Sequence, residues 1–165
     1  MKREMQTIVH PLSPVFREDS EILILGSFPS VLSRQSAFYY GNPQNRFWRV
    51  LAAVFERPLP QTNVEKRDLL LANRVALWDV IASCRISGSA DSSIADVVPN
   101  DLSEIFSHAS IRKIVLNGKT AERLFYKFNR GITFPVVALP STSSANAAWN
   151  FERLCEIWKK IVVSS

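Results

Sequence analysis

The chain has only two cysteines, two histidines and five glycines in 165 residues. Cys84 and Cys155 lie far apart, as do His10 and His108, so no zinc-ligand spacing exists. An iron–sulfur cluster needs four thiolates, more than one subunit supplies. Free thiols without a disulfide framework fit a reducing, cytoplasmic setting. Neither GxGxxG nor GxxxxGK[ST] occurs, which removes two glycine-rich phosphate cradles. GxSxG is also absent and neither histidine has a recognisable partner pattern, so a serine nucleophile is not indicated. No apolar run approaches the roughly 18 residues of a membrane span. Met1 to Gln6 carry basic residues with no apolar segment behind them, which does not read as a signal peptide. Repeats, low-complexity tracts, linkers and blocks of like charge are missing as well.

What remains describes an ordinary globular chain. At about 150 residues per domain, residues 1–165 read as a single domain, large enough to bury a core unaided. A hydrophobic fraction of 47% and a charged fraction of 21% exclude disorder. Twenty Lys+Arg against fifteen Asp+Glu gives 20 − 15 = +5, which leans toward an anionic partner, nucleic acid first.

Apolar runs alternate with helical patterns. Residues 21–27, 76–81, 111–117 and 134–139 read as strands. Residues 44–55 read as a helix with Phe47, Leu51 and Val54 or Phe55 on one face, Pro43 near its first turn, and Pro58 and Pro60 beyond it. Residues 64–74 form another, with Leu69, Leu70 and Leu71 inward. Residues 101–108 form a short helix capped by Asn100, and 119–128 a helix with Leu124, Phe125 and Phe128 inward. Residues 148–162 are the last helix, with Phe151, Cys155, Trp158 and Val162 in one stripe. Residues 87–93 read as a polar loop. The alternation predicts an α/β protein: a three-layer α/β/α sandwich with a central, mostly parallel four-stranded sheet. In such sheets ligands sit beyond the carboxyl ends of the strands. Three strand ends here carry unusual polar loops, Gly26 to Asn45, Asn117 to Thr120 and Pro140 to Asn146, and they are candidates to converge.

Three segments carry candidate chemistry. In Leu25-Gly26-Ser27-Phe28-Pro29-Ser30, a strand-end glycine lets backbone amides approach a ligand. The following loop to Gly41 is long for a strand-to-helix turn, and its Phe38, Tyr39 and Tyr40 either stack on a nucleobase or fold into the core. In Pro140-Ser141-Thr142-Ser143-Ser144-Ala145-Asn146, four successive hydroxyls exceed what one helix cap requires and suit phosphate oxygens. Asp79 lies inside an apolar run, where a carboxylate is costly unless used, solvated or paired, with Arg74 or Arg85 as partners. Lys119 is the one basic residue that follows a strand-end glycine at a helix start; His10 and His108 read as surface or core residues without catalytic duty.

Taken together, the chain resembles the uracil-DNA glycosylase superfamily, and within it the hypoxanthine-DNA (deoxyinosine) glycosylase branch. The likeness rests on LGSFPS with YYGNPQNRFW, on ALWDVIASCRISGSADSSI, on Asn117-Gly118-Lys119 and on LPSTSSAN, across about Ile22 to Ile161. The mismatch-directed uracil/thymine branch has G-I-N-P-G at the first motif, its Asn positioning the attacking water. Phe28 stands at that Asn position here, which points away from a uracil-type mechanism and toward the hypoxanthine branch. In the last motif the His or Asn that steadies the leaving base in related enzymes is also missing. Asn45 falls in an Asn-x-Phe-Trp pattern shared with branches that keep the usual Asn, and reads as structural; Asn42 is the amide peculiar to this branch and is assigned catalysis.

The resemblance implies a monofunctional enzyme that flips a deaminated base, hypoxanthine first, out of DNA and hydrolyses its N-glycosidic bond. Tyr40 would stack on the base, Gly26, Ser27 and Phe28 would bind its carbonyl edge, and Asp79 and Asn117 would complete the base pocket. Ser30, Lys119, Ser141 and Ser143 would hold phosphates, while Ser143, Ser144, Ala145 and Asn146 would fill the vacated stack. No metal or other cofactor is implied; the partner is DNA carrying a deaminated base, and the protein is expected to be a cytoplasmic monomer. Three other readings stay open: a uracil- or xanthine-directed enzyme, an inactive DNA-binding module, and an unrelated nucleotide-binding α/β protein.

Overall fold

The computed structural model describes residues 6–86 and 94–163; the polar loop expected at 87–93 lies outside them. The elements run β1 (Gln6–Val9), β2 (Ile22–Gly26), α1 (Val31–Ser36), α2 (Phe47–Val54), α3 (Asn63–Ala72), β3 (Val75–Asp79) and β4 (Ile81–Ile86). They continue with β5 (Ala95–Pro99), α4 (Ser103–His108), β6 (Lys113–Asn117), α5 (Lys119–Phe128), β7 (Val136–Leu139) and α6 (Phe151–Val162).

The central sheet has four strands in the order β3-β2-β6-β7, all parallel. β2 and β3 are buried at every position, which is why their sequences are unbroken apolar runs rather than alternating ones. The chain leaves β2 toward β3 on one side and later leaves β6 toward β7 on the other. Right-handed crossovers then place α1–α3 and α4–α5 on opposite faces of the sheet. α6 packs against α2 and covers the same face. The layers are therefore helix, sheet, helix, as the alternation implied, and the strand order reverses between β2 and β6. That reversal is where a crevice opens beyond the strand ends.

A second sheet, β1-β4-β5, is antiparallel and was not visible in the sequence. β3 and β4 are separated only by Val80, so residues 75–86 run from one sheet into the other. The loop expected after Gly26 contains α1, whose N-cap Ser30 accepts from Ser33 N–H. Asn100 does not cap α4: its side-chain amide donates to the carbonyls of Asp79 and Ile81 at 2.9 and 3.1 Å. The inward stripe of α6 keeps the expected Trp158 and Val162 but takes Leu154 in place of Cys155. Leu154, Trp158 and Val162 are buried, whereas Phe151 is 40% exposed and Cys155 half-buried. On α3, Leu69 and Leu70 are buried and Leu71 only partly. On α5, Leu124 and Phe125 are buried and Phe128 partly. No helix among the described residues is long and apolar enough to cross a membrane.

Candidate active site

The three polar loops do meet. A cleft of about 470 Å³ beyond the carboxyl ends of β2, β3 and β6 is lined from Gly26 to Ser30, by Tyr40, Asn42 and Asn45, by Asp79 and Asn117, and by 141–143 and Ala145. A second hollow of about 660 Å³ shares Ser27, Asn117, Ser141, Ser143 and Ala145 with it and extends over Lys119, Asn146 and Trp149. Every expected site residue except Ser144, which is exposed on the rim loop, lines one or both.

Gly26 and Asp79 are register partners at the ends of β2 and β3, so the pairing itself sets the carboxylate beside the glycine. A Cβ at Gly26 would lie 2.6 Å from Asp79 Oδ1 and 2.8 Å from the Tyr40 hydroxyl. Asp79 is 3% exposed and does not pair with Arg74 or Arg85, which reach Glu21 and Asp96 instead. Its Oδ2 accepts from His10 Nε2 at 2.8 Å. His10 Nδ1 accepts from Leu12 N–H at 3.2 Å, so the proton of the neutral ring sits on Nε2. His10, read from sequence as a surface or core residue without catalytic duty, thus lies behind the cleft wall and holds Asp79 in it.

The aromatic run divides. Tyr39 is buried and donates to the Ser13 carbonyl at 2.8 Å. Burial first, then the charge of Asp79 and the neighbouring Tyr40, pushes its phenol well up, so it stays protonated. Phe38 stacks on Trp48 with centroids 5.9 Å apart. Tyr39 borders the cleft from its buried place, and Tyr40 reaches further into the cleft wall, its ring stacked on Phe47 at 3.9 Å. Phe28 joins it there, edge-on to His10 at 5.7 Å with the Arg34 guanidinium over its ring.

The amides differ in what they have left to offer. Asn117 Nδ2 donates to Tyr40 Oη and Thr142 Oγ1, both at 3.1 Å, and its Oδ1 accepts from Thr142 N–H at 3.1 Å. It buckles three loops together. Asn45 Oδ1 accepts from Phe47 N–H at 2.9 Å and Thr142 Oγ1 at 2.8 Å, which fills both lone pairs. Asn42 Oδ1 accepts one bond, from Gln44 N–H at 2.9 Å, and keeps a lone pair. Among the described residues nothing bonds its NH₂ group.

The rim loop 141–149 is held by Arg46, one of the dispersed basic residues that no sequence pattern singles out. Its guanidinium donates to the carbonyls of Thr142 (3.3 Å), Ser143 (2.9 Å), Asn146 (3.2 Å) and Trp149. With those carbonyls turned to Arg46, Ser141 and Ser143 keep hydroxyls on the outer side, where each accepts a backbone N–H. Ser30 Oγ is committed to capping α1 while still lining the cleft. Lys119 is exposed at the first turn of α5, directly after Gly118, whose φ of +97° suits only glycine. Among the described residues no group of three or more His, Cys, Asp or Glu is placed to hold a metal.

Comparison with known proteins identifies the family. Residues 13–162 match the model of the Uracil DNA glycosylase superfamily. A Hypoxanthine DNA glycosylase of Methanosarcina acetivorans is 38% identical over 149 residues, covering 89% of this chain and 93% of the relative. One from Methanosarcina barkeri is 36% identical over 135 residues, covering 81% and 85%. The solution NMR structure of a candidate uracil DNA glycosylase from M. acetivorans superposes with a TM-score of 0.81 at 34% identity, covering 94% of this chain and 97% of that one. The chain therefore belongs to the uracil-DNA glycosylase superfamily.

Proposed function

We propose that this protein is a monofunctional DNA glycosylase that removes hypoxanthine from deoxyinosine in DNA and leaves an abasic site. The observation that carries the substrate is the extent of likeness to two relatives bearing that activity in their names, at 38% and 36% identity over most of the chain. Phe28 where the mismatch-directed branch has its water-positioning Asn supports the same reading.

A base within a duplex is out of reach, so the nucleotide is flipped into the cleft and the rim loop 143–146 fills the gap. The Ser27 and Phe28 backbone amides face the O6 edge, and Tyr40 stacks on the ring. The bond between C1′ and N9 breaks with its electron pair leaving on the purine, and positive charge develops on the sugar. Water adds to C1′, loses a proton, and the purine departs protonated. No carboxylate pair of the O-glycosidase kind is present in the motifs, so the acceleration comes from water positioning and fixed dipoles. Orienting water requires a free acceptor. Asn45 has none left and Asn42 has one, so Asn42 is the catalytic amide. Lys119, Ser141 and Ser143 hold phosphates, the lysine as an exposed point charge at a helix start.

The test is base release from duplexes carrying one deoxyinosine or one deoxyuridine, read by alkali cleavage at abasic sites. Release from deoxyinosine should drop by about 100-fold or more in Asn42→Ala. Unchanged release in Asn42→Ala would remove Asn42 from catalysis while keeping the activity. Binding of the duplex without release of either base would make the protein a DNA-binding module instead.

A further inference from the structure

Of the four hydroxyls at 141–144, Thr142 is the one that cannot meet a phosphate. It is 0% exposed, whereas Ser141 and Ser143 are half-buried and Ser144 is exposed. A buried hydroxyl must find its partners inside the protein. This one has two, from residues 25 and 97 positions away in the chain: Oγ1 accepts from Asn117 Nδ2 at 3.1 Å and donates to Asn45 Oδ1 at 2.8 Å.

The direction of these bonds is fixed by backbone groups. An asparagine amide can present either end, and its partners decide which end is the oxygen. Thr142 N–H donates to one end of the Asn117 amide at 3.1 Å, so that end is Oδ1. The other end is then NH₂, and it gives its protons to Tyr40 Oη and Thr142 Oγ1, both at 3.1 Å. The Thr142 hydroxyl accepts there and spends its own proton on Asn45. Phe47 N–H donates to the same Asn45 oxygen at 2.9 Å. Backbone N–H groups at 142 and 47 thus lock both ends of the chain, which runs one way, from Asn117 through Thr142 to Asn45. The Asn45 oxygen is filled and its NH₂ group is left over. Nothing among the described residues bonds that group, and it is not sealed in the core, so it is available to the cleft that Asn45 lines.

A fixed N–H donor has a use when the bond between C1′ and N9 breaks. The electron pair that leaves on the purine spreads over its ring nitrogens and O6. A donor already oriented stabilises that charge without reorganising. We infer that Thr142 is a positioning residue for base release: its buried hydroxyl holds the Asn45 amide with NH₂ toward the departing base, and it makes no contact with DNA. The inference rests on the glycosylase reading above and adds a division of labour to it. Asn42 offers an acceptor to water, and Asn45 offers a donor to the leaving group.

The experiment compares wild type, Thr142→Val and Thr142→Ser in single-turnover release from a deoxyinosine duplex, each beside its affinity for an abasic-site duplex, which has no leaving group. Valine keeps the shape of threonine without the hydroxyl; serine keeps the hydroxyl without the methyl. Release should fall about 10-fold or more in Thr142→Val and stay within about threefold of wild type in Thr142→Ser, with abasic-duplex affinity within about twofold in both. In an Asn45→Ala background, Thr142→Val should cost no more than about twofold further, because the group it serves is gone. Wild-type release by Thr142→Val would overturn the inference, as would a serine variant as poor as the valine one. Equal losses in release and abasic affinity would return Thr142 to DNA binding and overturn it too, and so would independent losses in the double variant. If wild type releases neither hypoxanthine nor uracil, it is the proposed function that fails. A measurement without variants guards against misfolding: free hypoxanthine, at a concentration that inhibits release, should shift the NMR signals of the Asn45 side-chain NH₂ in isotope-labelled wild type. Unmoved signals count against the inference.

Discussion

A methyl group at position 26 would lie 2.6 Å from Asp79 Oδ1 and 2.8 Å from the Tyr40 hydroxyl. Neither neighbour can give way cheaply. The carboxylate is pinned through its other oxygen by His10, and the tyrosine ring is stacked on Phe47 and bonded to Asn117. Gly26→Ala should therefore leave a folded protein, destabilised by about 1–3 kcal/mol, in which deoxyinosine release falls about 100-fold. Thermal unfolding and single-turnover kinetics on the same sample check both halves; a fully active variant would show that the cleft wall yields. At this scale the sequence was partly readable. A glycine at the end of an apolar run, followed by an extended polar segment, announces a close approach, and Gly26, Tyr40, Asn42 and Asp79 do share one cleft. What faces them was not readable. His10 lies 69 positions from Asp79, in a stretch with no motif, and only the β1–β4 pairing brings the two together.

Among the elements, the parallel strands were legible because burial on both faces demands continuous apolar sequence, as in β2 and β3. β1 and β5 were not, because no position in either is fully buried and the two valines of β5 fall on opposite faces, so neither an apolar run nor an alternation of residue types survives. α1 escaped for a similar reason: of Val31–Ser36 only Ser33 is buried, leaving no apolar stripe to detect. The rim loop was legible as unusual composition, but not its support. Loop 141–149 makes only isolated turn bonds of its own, Asn146 N–H to the Ser143 carbonyl and Trp149 N–H to the Asn146 carbonyl, and Arg46 ties it down by collecting four loop carbonyls. Only a planar guanidinium carries enough donors in a fixed fork to do so; lysine does not. Arg46→Met should release the loop, weaken binding to an abasic-site duplex by about 10-fold, and lower stability by about 1–3 kcal/mol. Arg46→Lys, which keeps the charge, should recover little of the binding. Full recovery by lysine in a titration against the duplex would mean that Arg46 acts through charge rather than through the loop.

For the whole molecule, +5 is a modest surplus and the basic residues are scattered, so the charge alone does not locate a DNA track. The topology does. The strand order reverses between β2 and β6, the cleft opens there, and the adjoining hollow carries Lys119 and the hydroxyls of the rim loop on its wall. Binding should then depend on a small number of phosphate contacts near that opening, not on the net charge. Each neutralised phosphate releases counterions and adds about 0.9 to the slope of log affinity against log salt. Lys119→Ala should reduce that slope by about one and weaken deoxyinosine-containing and undamaged duplexes alike, with release from the bound complex little changed. Lys127, on the same helix but lying against the Phe128 ring, is the matched control: removing it changes net charge equally and should leave the slope as it was. Equal effects of the two substitutions would mean that the protein meets DNA through its overall charge, and the hollow beside the cleft would lose its role as a phosphate track.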